Sequence, residues 1–541
     1  MTVLAPAEWK ADWRNALGLL WPVQLALFAV CLFVAGMTFP LADPDLPIHL
    51  ATGEWIVRHH AVPFVEPWAW TRHGAPFQAY SWAIETAYYL ILDKTGPLGL
   101  HVLQGLIYVA LGASVVALGR VARWRAWTTI LVVAIQLIVA LGATPYLRPQ
   151  AMLVIVTPVV WALVFRARDV ERLRWELPAL TLVSAIVANT HLLFPITAAP
   201  CVVLLTCLPA KRWRLLTIPA AIVLGWFLTP YALHWVEIYR LYFAPNPLIR
   251  PPSPIAEYKP GFTMALTAGV SSLFVALGFL LVPWLVSSRY SARERLLHGF
   301  LWFAGLLMFA IAVRALVVWW LLIIPTVGCA IELLPSPTLP VLRTAQRAAV
   351  VAIFVTVGLL GVDDWRDPWM RAGSASTRFL PSMNARSIEP IAEWLDCNVK
   401  HAAGGRLVTT FNYGGYVPWR LPYLSESVDG RTFFPDSVAL PETYFPPNRA
   451  RIPLPPWRTA DLAIAPVNFP VASVLDTAVG WHRIALTSQL EGRASMIGLW
   501  VTDGWWLRAG RAPLPAHVLA LYHRIPSGQG AECDRSTVAF R

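Results

Sequence analysis

The feature that most constrains this chain is the recurrence of apolar blocks, most of them about 17–24 residues long, the length that crosses a hydrocarbon core of about 30 Å. Spans are expected at 17–39, 98–119, 127–143, 151–165, 177–189, 192–208, 215–229, 263–286, 297–313, 315–333 and 347–362. The stretch 81–93 is apolar but short and reads as an interfacial helix. Leu17 to Phe39 is too long for a signal-peptide core and reads as a retained span. The residue balance agrees: 57% is hydrophobic and 14% charged, against about 25% charged in ordinary soluble domains. The expected fold class is an α-helical polytopic membrane protein of about eleven transmembrane helices, carrying a soluble α/β domain at its C-terminal end.

The net charge of +12 is a topology signal rather than a nucleic-acid signal, because no basic stripe or binding motif accompanies it. Arg120, Arg123 and Arg125 share one loop. Arg166, Arg168, Arg172 and Arg174 share a later one, followed by Lys211, Arg212 and Arg214, by Arg289, Arg293 and Arg295, and by Arg343 and Arg347. Threaded through the spans, every cluster falls on the side of the N-terminus, and the positive-inside rule makes that side cytoplasmic. The opposite side collects the first outer loop at 40–97, the 146–150 turn, Asn189 to His191, the loop 230–262, Arg314 and everything after Asp363. Polar groups at membrane depth are costly and commonly serve a cavity or pair internally. The outward side is therefore where a site is expected.

In the first outer loop, Asp43 and Asp45 flank Pro44, and His49 follows four residues later. Two acids so close could share a divalent metal such as Mg or Mn, or one could serve as general base while its neighbour tunes it. A turn and helix cap accounts for the same residues without chemistry. Arg148 and Arg314 are the outward arginines suited to bidentate phosphate contact, with snorkelling to the interface as their bland alternative. His191 and Glu257 lie on the same side.

Composition shifts after Asp363. A linker at 363–386, with Trp365 and Trp369, reads as an interfacial exit, and 387–541 reads as the α/β domain. Ile388, Ile391 and Leu395 have helical spacing, and Leu407–Phe411, Leu462–Ala465, His482–Thr487 and Met496–Val501 read as strands. The domain has no nucleotide-binding glycine fingerprint and no nucleophile elbow, so it reads as a lid or acceptor-binding module. Placed outside the cell, Cys397 and Cys533 form a candidate disulfide.

The loop Asp43-Pro-Asp45-Leu-Pro47-Ile48-His49-Leu-Ala-Thr-Gly53-Glu54-Trp55-Ile56 resembles the first outer loop of the GT-C superfamily of membrane glycosyltransferases. More narrowly, it resembles a bacterial group of multi-pass proteins with the pattern D-P-D-L-W-W-H-L-A-T-G-E-W-I. Pro47 and Ile48 stand in place of the paired tryptophans. Glu66-Pro67-Trp68-Ala69-Trp70-Thr71 resembles a D-P-F-S-W-T stretch, but Tyr80-Ser81-Trp82 lacks the His and Glu of an H-E-W segment; Glu85 lies one helical turn later. Arg148-Pro149-Gln150, Ala188-Asn189-Thr190-His191, Thr229-Pro230-Tyr231, Glu257-Tyr258 and Arg314 resemble further segments. So do Asn412-Tyr413-Gly414-Gly415-Tyr416 and Asp429-Gly430-Arg431 in the C-terminal domain.

The resemblance implies a GT-C-like transmembrane domain at 1–362. It implies transfer of a sugar from a polyprenyl-phosphate donor to a glycan, lipid or protein acceptor on the periplasmic face of a bacterial inner membrane, in service of the cell envelope. Asp43 and Asp45 would be the catalytic pair and possible metal ligands in that scheme, and His49, Glu54, Arg148, His191, Glu257 and Arg314 would bind substrate. The altered loop leaves an alternative, a non-catalytic scaffold or lipid-handling subunit of an envelope complex. A transporter is disfavoured because no internal repeat is evident.

Overall fold

The computed structural model describes residues 21–38, 41, 43, 45–143, 147–170, 173–206, 213–243, 291–333, 383–399, 401–427, 459–487, 497–511 and 523–525. The expected spans at 263–286 and 347–362, the linker up to residue 382, Glu257, Asp429 to Arg431 and Cys533 lie outside these residues, and 383–386, expected as the end of the linker, begin a helix.

The described part of 1–362 is helical. Its helices are α1 (Trp21–Thr38), α2 (Leu46–His59), α3 (Trp82–Thr95), α4 (Pro97–Ala122), α5 (Ala126–Ala143), α6 (Gln150–Asp169), α7 (Glu176–Ala188), α8 (Thr217–Phe227), α9 (Trp235–Phe243), α10 (Ala292–Ile311) and α11 (Leu316–Leu333). Among the described residues, α4, α6, α10 and α11 are long and apolar enough to cross a membrane. Thr217–Phe227 with Ala232–Arg240 make a fifth if the pair, bent by 102°, is one span. Among the described residues, the apolar helices Ala26–Thr38, Ala126–Ala140, Glu176–Ala188 and Phe194–Leu204 are shorter. Glu176–Ala188 has 13 residues, about 20 Å of helix. Phe194–Thr206 winds as a 3-10 helix around Pro200. The sharp bend falls at Thr229-Pro230-Tyr231, where proline cannot continue the helical ladder. The segment expected as the start of an outer loop is thus a helix turned by 102° from the one before it.

The exposure pattern needs an apolar solvent. On α10, Leu296 is 73% exposed, Phe300 60%, Phe303 60% and Leu307 54%, a stripe at helical spacing. Helices α6 and α11 are instead buried along most of their length. The two ends of the bundle also differ. At one end, Arg125 binds Glu332 (Nε to Oε2, 2.8 Å) and Arg166 binds Glu176 (3.1 Å). At the opposite ends of α5, α6, α7 and α11 stand Arg148, Asn189, His191 and Arg314. Among the described residues, Arg125 and Arg166 therefore stand at the end opposite Arg148, Asn189, His191 and Arg314.

Helices α2 and α3 of the first loop pack side by side, and Gly53 permits it. A Cβ there would lie 2.2 Å from the Glu85 carbonyl oxygen and 2.8 Å from Tyr89 Cβ. Gly53→Ala is expected to force the helices apart at a cost of about 1–3 kcal/mol. Thermal unfolding in detergent checks this; an unchanged midpoint would contradict the close approach.

Residues 383–525 contain a six-stranded mixed sheet in the order β2-β1-β3-β5-β4-β6. The strands are β1 (Arg406–Thr409), β2 (Ser425–Glu426), β3 (Leu462–Pro466), β4 (Trp481–Thr487), β5 (Ile497–Thr502) and β6 (His523–Ile525). Strand β3 is buried throughout, as a central strand with both faces covered must be. On one face lies α12 (Met383–Asn398), through Ile388, Ile391 and Leu395; on the other lies the helix Pro470–Thr477, through Val471, Ala472 and Leu475. Cys397 is disulfide-bonded.

The sheet is joined to the first outer loop. Ala69 pairs with Glu426 in a parallel bridge. Trp70 Nε1 donates to the Leu407 carbonyl at 3.3 Å, and Thr71 Oγ1 donates to the Ser427 carbonyl at 2.7 Å. The short helix Val417–Arg420 packs on α2. Its Arg420 is held by Glu389 (3.0 Å) and Asp396 (2.6 Å). The C-terminal domain is thus anchored to the segment that carries Asp43, Asp45 and His49.

Candidate functional site

Helix α2 begins immediately after the acidic pair, with Asp45 at its N-cap and Pro47 in its first turn. Asp45 makes no side-chain cap. The turn is held instead by Asp43, whose Oδ1 accepts from the Asp45 amide at 2.7 Å. Asp43 is fully buried, and its Oδ2 accepts a hydrogen bond from Arg148 Nε. Arg148 Nη2 also lies 3.7 Å from Asp45 Oδ2. Arg148 comes from the turn that starts α6, where Pro149 takes the N-cap position. One guanidinium therefore ties the first outer loop to the mouth of the bundle. The two carboxylates differ: the Asp43 side chain is 0% exposed, whereas that of Asp45 is 36% exposed.

Arg148 contacts both carboxylates, so a positive group already serves the pair that a shared metal would need. Among the described residues no three His, Cys, Asp or Glu side chains converge as a metal set. These residues do not fit a metal bridging Asp43 and Asp45.

His49 stands one turn into α2. Its Nδ1 is 2.7 Å from Glu85 Oε1 on α3, and Ser81 Oγ donates to the same oxygen at 3.0 Å. Burial pulls the imidazole down, but the Glu85 hydrogen bond and the charges of Glu85, Asp45 and Asp43 outweigh it and raise its pKa above the usual 6.5. Glu85 Oε2 and the Tyr88 hydroxyl are buried without a hydrogen-bond partner among the described residues. Burial, with the charges of Asp43 and Glu85, also raises the Tyr88 phenol.

His191 and Arg314 form a second group. His191 Nδ1 accepts from the Leu193 amide at 3.0 Å, which leaves Nε2 as the proton-bearing nitrogen. Burial, with Arg314 acting on it, lowers its pKa to about 3, so it is a neutral donor. Asn189 is a structural tie. Its Oδ1 accepts from Trp82 Nε1 at 2.7 Å, and its Nδ2 donates to the carbonyls of Ala185 (2.7 Å) and Leu228 (2.8 Å). Tyr231 pins the first loop: its hydroxyl donates to the Pro63 carbonyl at 3.0 Å and accepts from the Ala79 amide at 2.9 Å.

The structure therefore brings Asp43, Asp45, His49 and Arg148 together, and places Arg314 near enough for its charge to act on His191. Glu54 joins neither group; it is ion-paired to Arg58 at 2.5 Å on another face of α2. Ser81 and Tyr88 escaped sequence reasoning. The available signal was their helical spacing about Glu85, the one acid in the first turn of α3.

No protein-family model and no curated protein matches the sequence. Solved structures do. ArnT from Cupriavidus metallidurans bound to undecaprenyl phosphate matches with a TM-score of 0.51 and 13% identity, over 91% of this chain and 99% of that one. ArnT in the apo state matches with a TM-score of 0.52 at the same identity and coverage. The arabinofuranosyltransferase AftD from Mycobacteria matches with a TM-score of 0.50 and 15% identity; 88% of this chain covers 40% of AftD. Along most of its length, this chain shares the fold of ArnT.

Proposed function

We propose that this protein transfers a sugar from a polyprenyl-phosphate donor to an acceptor hydroxyl on the non-cytoplasmic side of a bacterial inner membrane. The observation that carries this reading is the buried Asp43–Arg148 pair with Asp45 open beside it, at the end of the bundle opposite the basic loops. The fold it sits in is shared with ArnT, which was solved bound to undecaprenyl phosphate. In this scheme the N-terminus is cytoplasmic, and the C-terminal domain lies on the acceptor side because it is bonded to the first outer loop.

The residues divide the work by environment. Asp45, the more exposed carboxylate, accepts the proton of the acceptor hydroxyl as that oxygen bonds to the sugar's anomeric carbon. The bond from that carbon to the phosphate breaks, and negative charge grows on the leaving phosphate. Arg148, Arg314 and the His191 Nε2–H are the groups able to stabilise it. Asp43 holds Arg148 and the turn in place. The soluble domain braces the loop and borders the acceptor.

One observation favours the scaffold alternative: both oxygens of Asp43 are already engaged. Transfer from a panel of radiolabelled polyprenyl-phosphate sugars in membranes separates the two. The wild type is expected to label an acceptor, and the Asp43→Asn/Asp45→Asn protein, at equal expression, to label none. Equal labelling by both would remove the loop from the chemistry.

A further inference from the structure

Glu85 takes no part in the proposed transfer, yet it is a buried carboxylate with one oxygen committed and one that has no hydrogen-bond partner among the described residues. Its committed Oε1 takes the Ser81 hydroxyl at 3.0 Å and His49 Nδ1 at 2.7 Å. Ser81 lies one turn before Glu85, at the start of the same helix, so the carboxylate is braced before it meets the imidazole. The Gly53 contact brings the backbones of α2 and α3 close enough for this pairing. Nδ1 is thereby fixed as a donor to Glu85, which turns Nε2 away from α3. Nε2 has no hydrogen-bond partner among the described residues and is not sealed from solvent, and the His49 side chain keeps 15% of its surface exposed.

We infer that Glu85 is a positioning residue that holds His49 with its Nε2–H directed to the open side of the Asp45 site, as a cationic donor to an anionic ligand oxygen. The inference rests on the proposed function, and it gives the ligand a chemistry there: the phosphate of the lipid donor. An imidazolium has no free lone pair, so His49 does not compete with Asp45 for the acceptor proton.

The charged and titratable groups around His49 support this state. On α3 they are Glu85 and Tyr88; before α2, Asp43 and Asp45; and from the start of α6, Arg148, engaged by the two aspartates. From the C-terminal side comes Arg420, held by Glu389 and Asp396. On α2 itself, Glu54 and Arg58 neutralise each other. The carboxylates favour the protonated ring, and they do so through a short, braced contact with Glu85.

Two measurements on the full-length protein in nanodiscs test the inference. The first is carbethoxylation of His49 by diethyl pyrocarbonate against pH, read by peptide mass spectrometry, because the reagent attacks only an accessible unprotonated nitrogen. The wild type is expected to show a midpoint above the ordinary 6.5. Glu85→Gln, close to isosteric, is expected to lower that midpoint by about one pH unit or more. No reaction at any pH, or the same midpoint in both proteins, overturns the dyad. The second is binding of undecaprenyl phosphate. Wild-type binding is expected to weaken as pH rises through the His49 midpoint, and His49→Gln binding to stay flat across it. Binding that is equally pH-independent in both proteins overturns the donor role of His49. Absence of wild-type binding at every pH overturns the phosphate assignment and the proposed function with it, whereas the carbethoxylation result judges the dyad alone.

Discussion

Replacing Asp45 by asparagine is expected to lower sugar transfer by ~10²–10⁴-fold, the usual worth of a positioned general base. The protein should fold as before. The Asp45 side chain is 36% exposed, makes no helix cap and lies 3.7 Å from Arg148 Nη2. Asparagine keeps the shape and loses only the basic oxygen. Initial rates with saturating donor, alongside thermal unfolding of the same preparations, provide the check. A variant that unfolds like the wild type and transfers at the wild-type rate would exclude Asp45 as the base.

The second large effect is on stability. Arg148→Ala leaves Asp43 as a buried charge without its guanidinium, and breaking a buried pair in this way costs about 3–5 kcal/mol. The first outer loop would lose its tie to α6, and the short helix Val417–Arg420 packed on α2 would loosen with it. The double variant Asp43→Asn/Arg148→Met is expected to recover much of that stability. It removes both charges, and the asparagine amide oxygen still accepts from the Asp45 backbone N–H. It should nevertheless transfer no sugar, because the leaving phosphate has lost an arginine. Thermal unfolding of both variants in one detergent checks the pair. Equal midpoints for wild type and Arg148→Ala would show that the contact contributes little.

Much of this was legible in the sequence because the bilayer imposes length and charge rules on short segments. The long helices α4, α6 and α11 fall where the apolar blocks predict. The segregation of Arg125 and Arg166 from Arg148 and Arg314 follows from loop charge alone. The strands around Leu407, Leu462, His482 and Ile497 are found close to their expected places. What the sequence hid are contacts set by packing between distant segments. The separation of 105 residues between Asp43 and Arg148 carries no local sign that the two pair. Glu85 was visible only as an acid one turn past a missing motif; its contact with His49 depends on how closely two helices approach at Gly53. Glu54, beside that glycine in the same motif, is spent on Arg58 instead. The anchoring of the sheet on the first loop was hidden too: the motif at Glu66 to Thr71 marks Trp70 and Thr71 but not the carbonyls they donate to, and the Ala69 backbone bridge leaves no sequence signature.

In the proposed reaction the Asp45–Arg148 site receives the polyprenyl-phosphate headgroup. The most direct measurement is photo-crosslinking with a polyprenyl phosphate that carries a diazirine beside its phosphate, followed by peptide mapping. Label is expected on peptides containing Asp45 to His49 and Leu147 to Gln150. Unlabelled undecaprenyl phosphate should compete that label away, and Arg148→Met with Asp43→Asn should lose it. Label confined to lipid-facing residues such as Leu296 and Phe300, indifferent to competitor and to the variant, would contradict it.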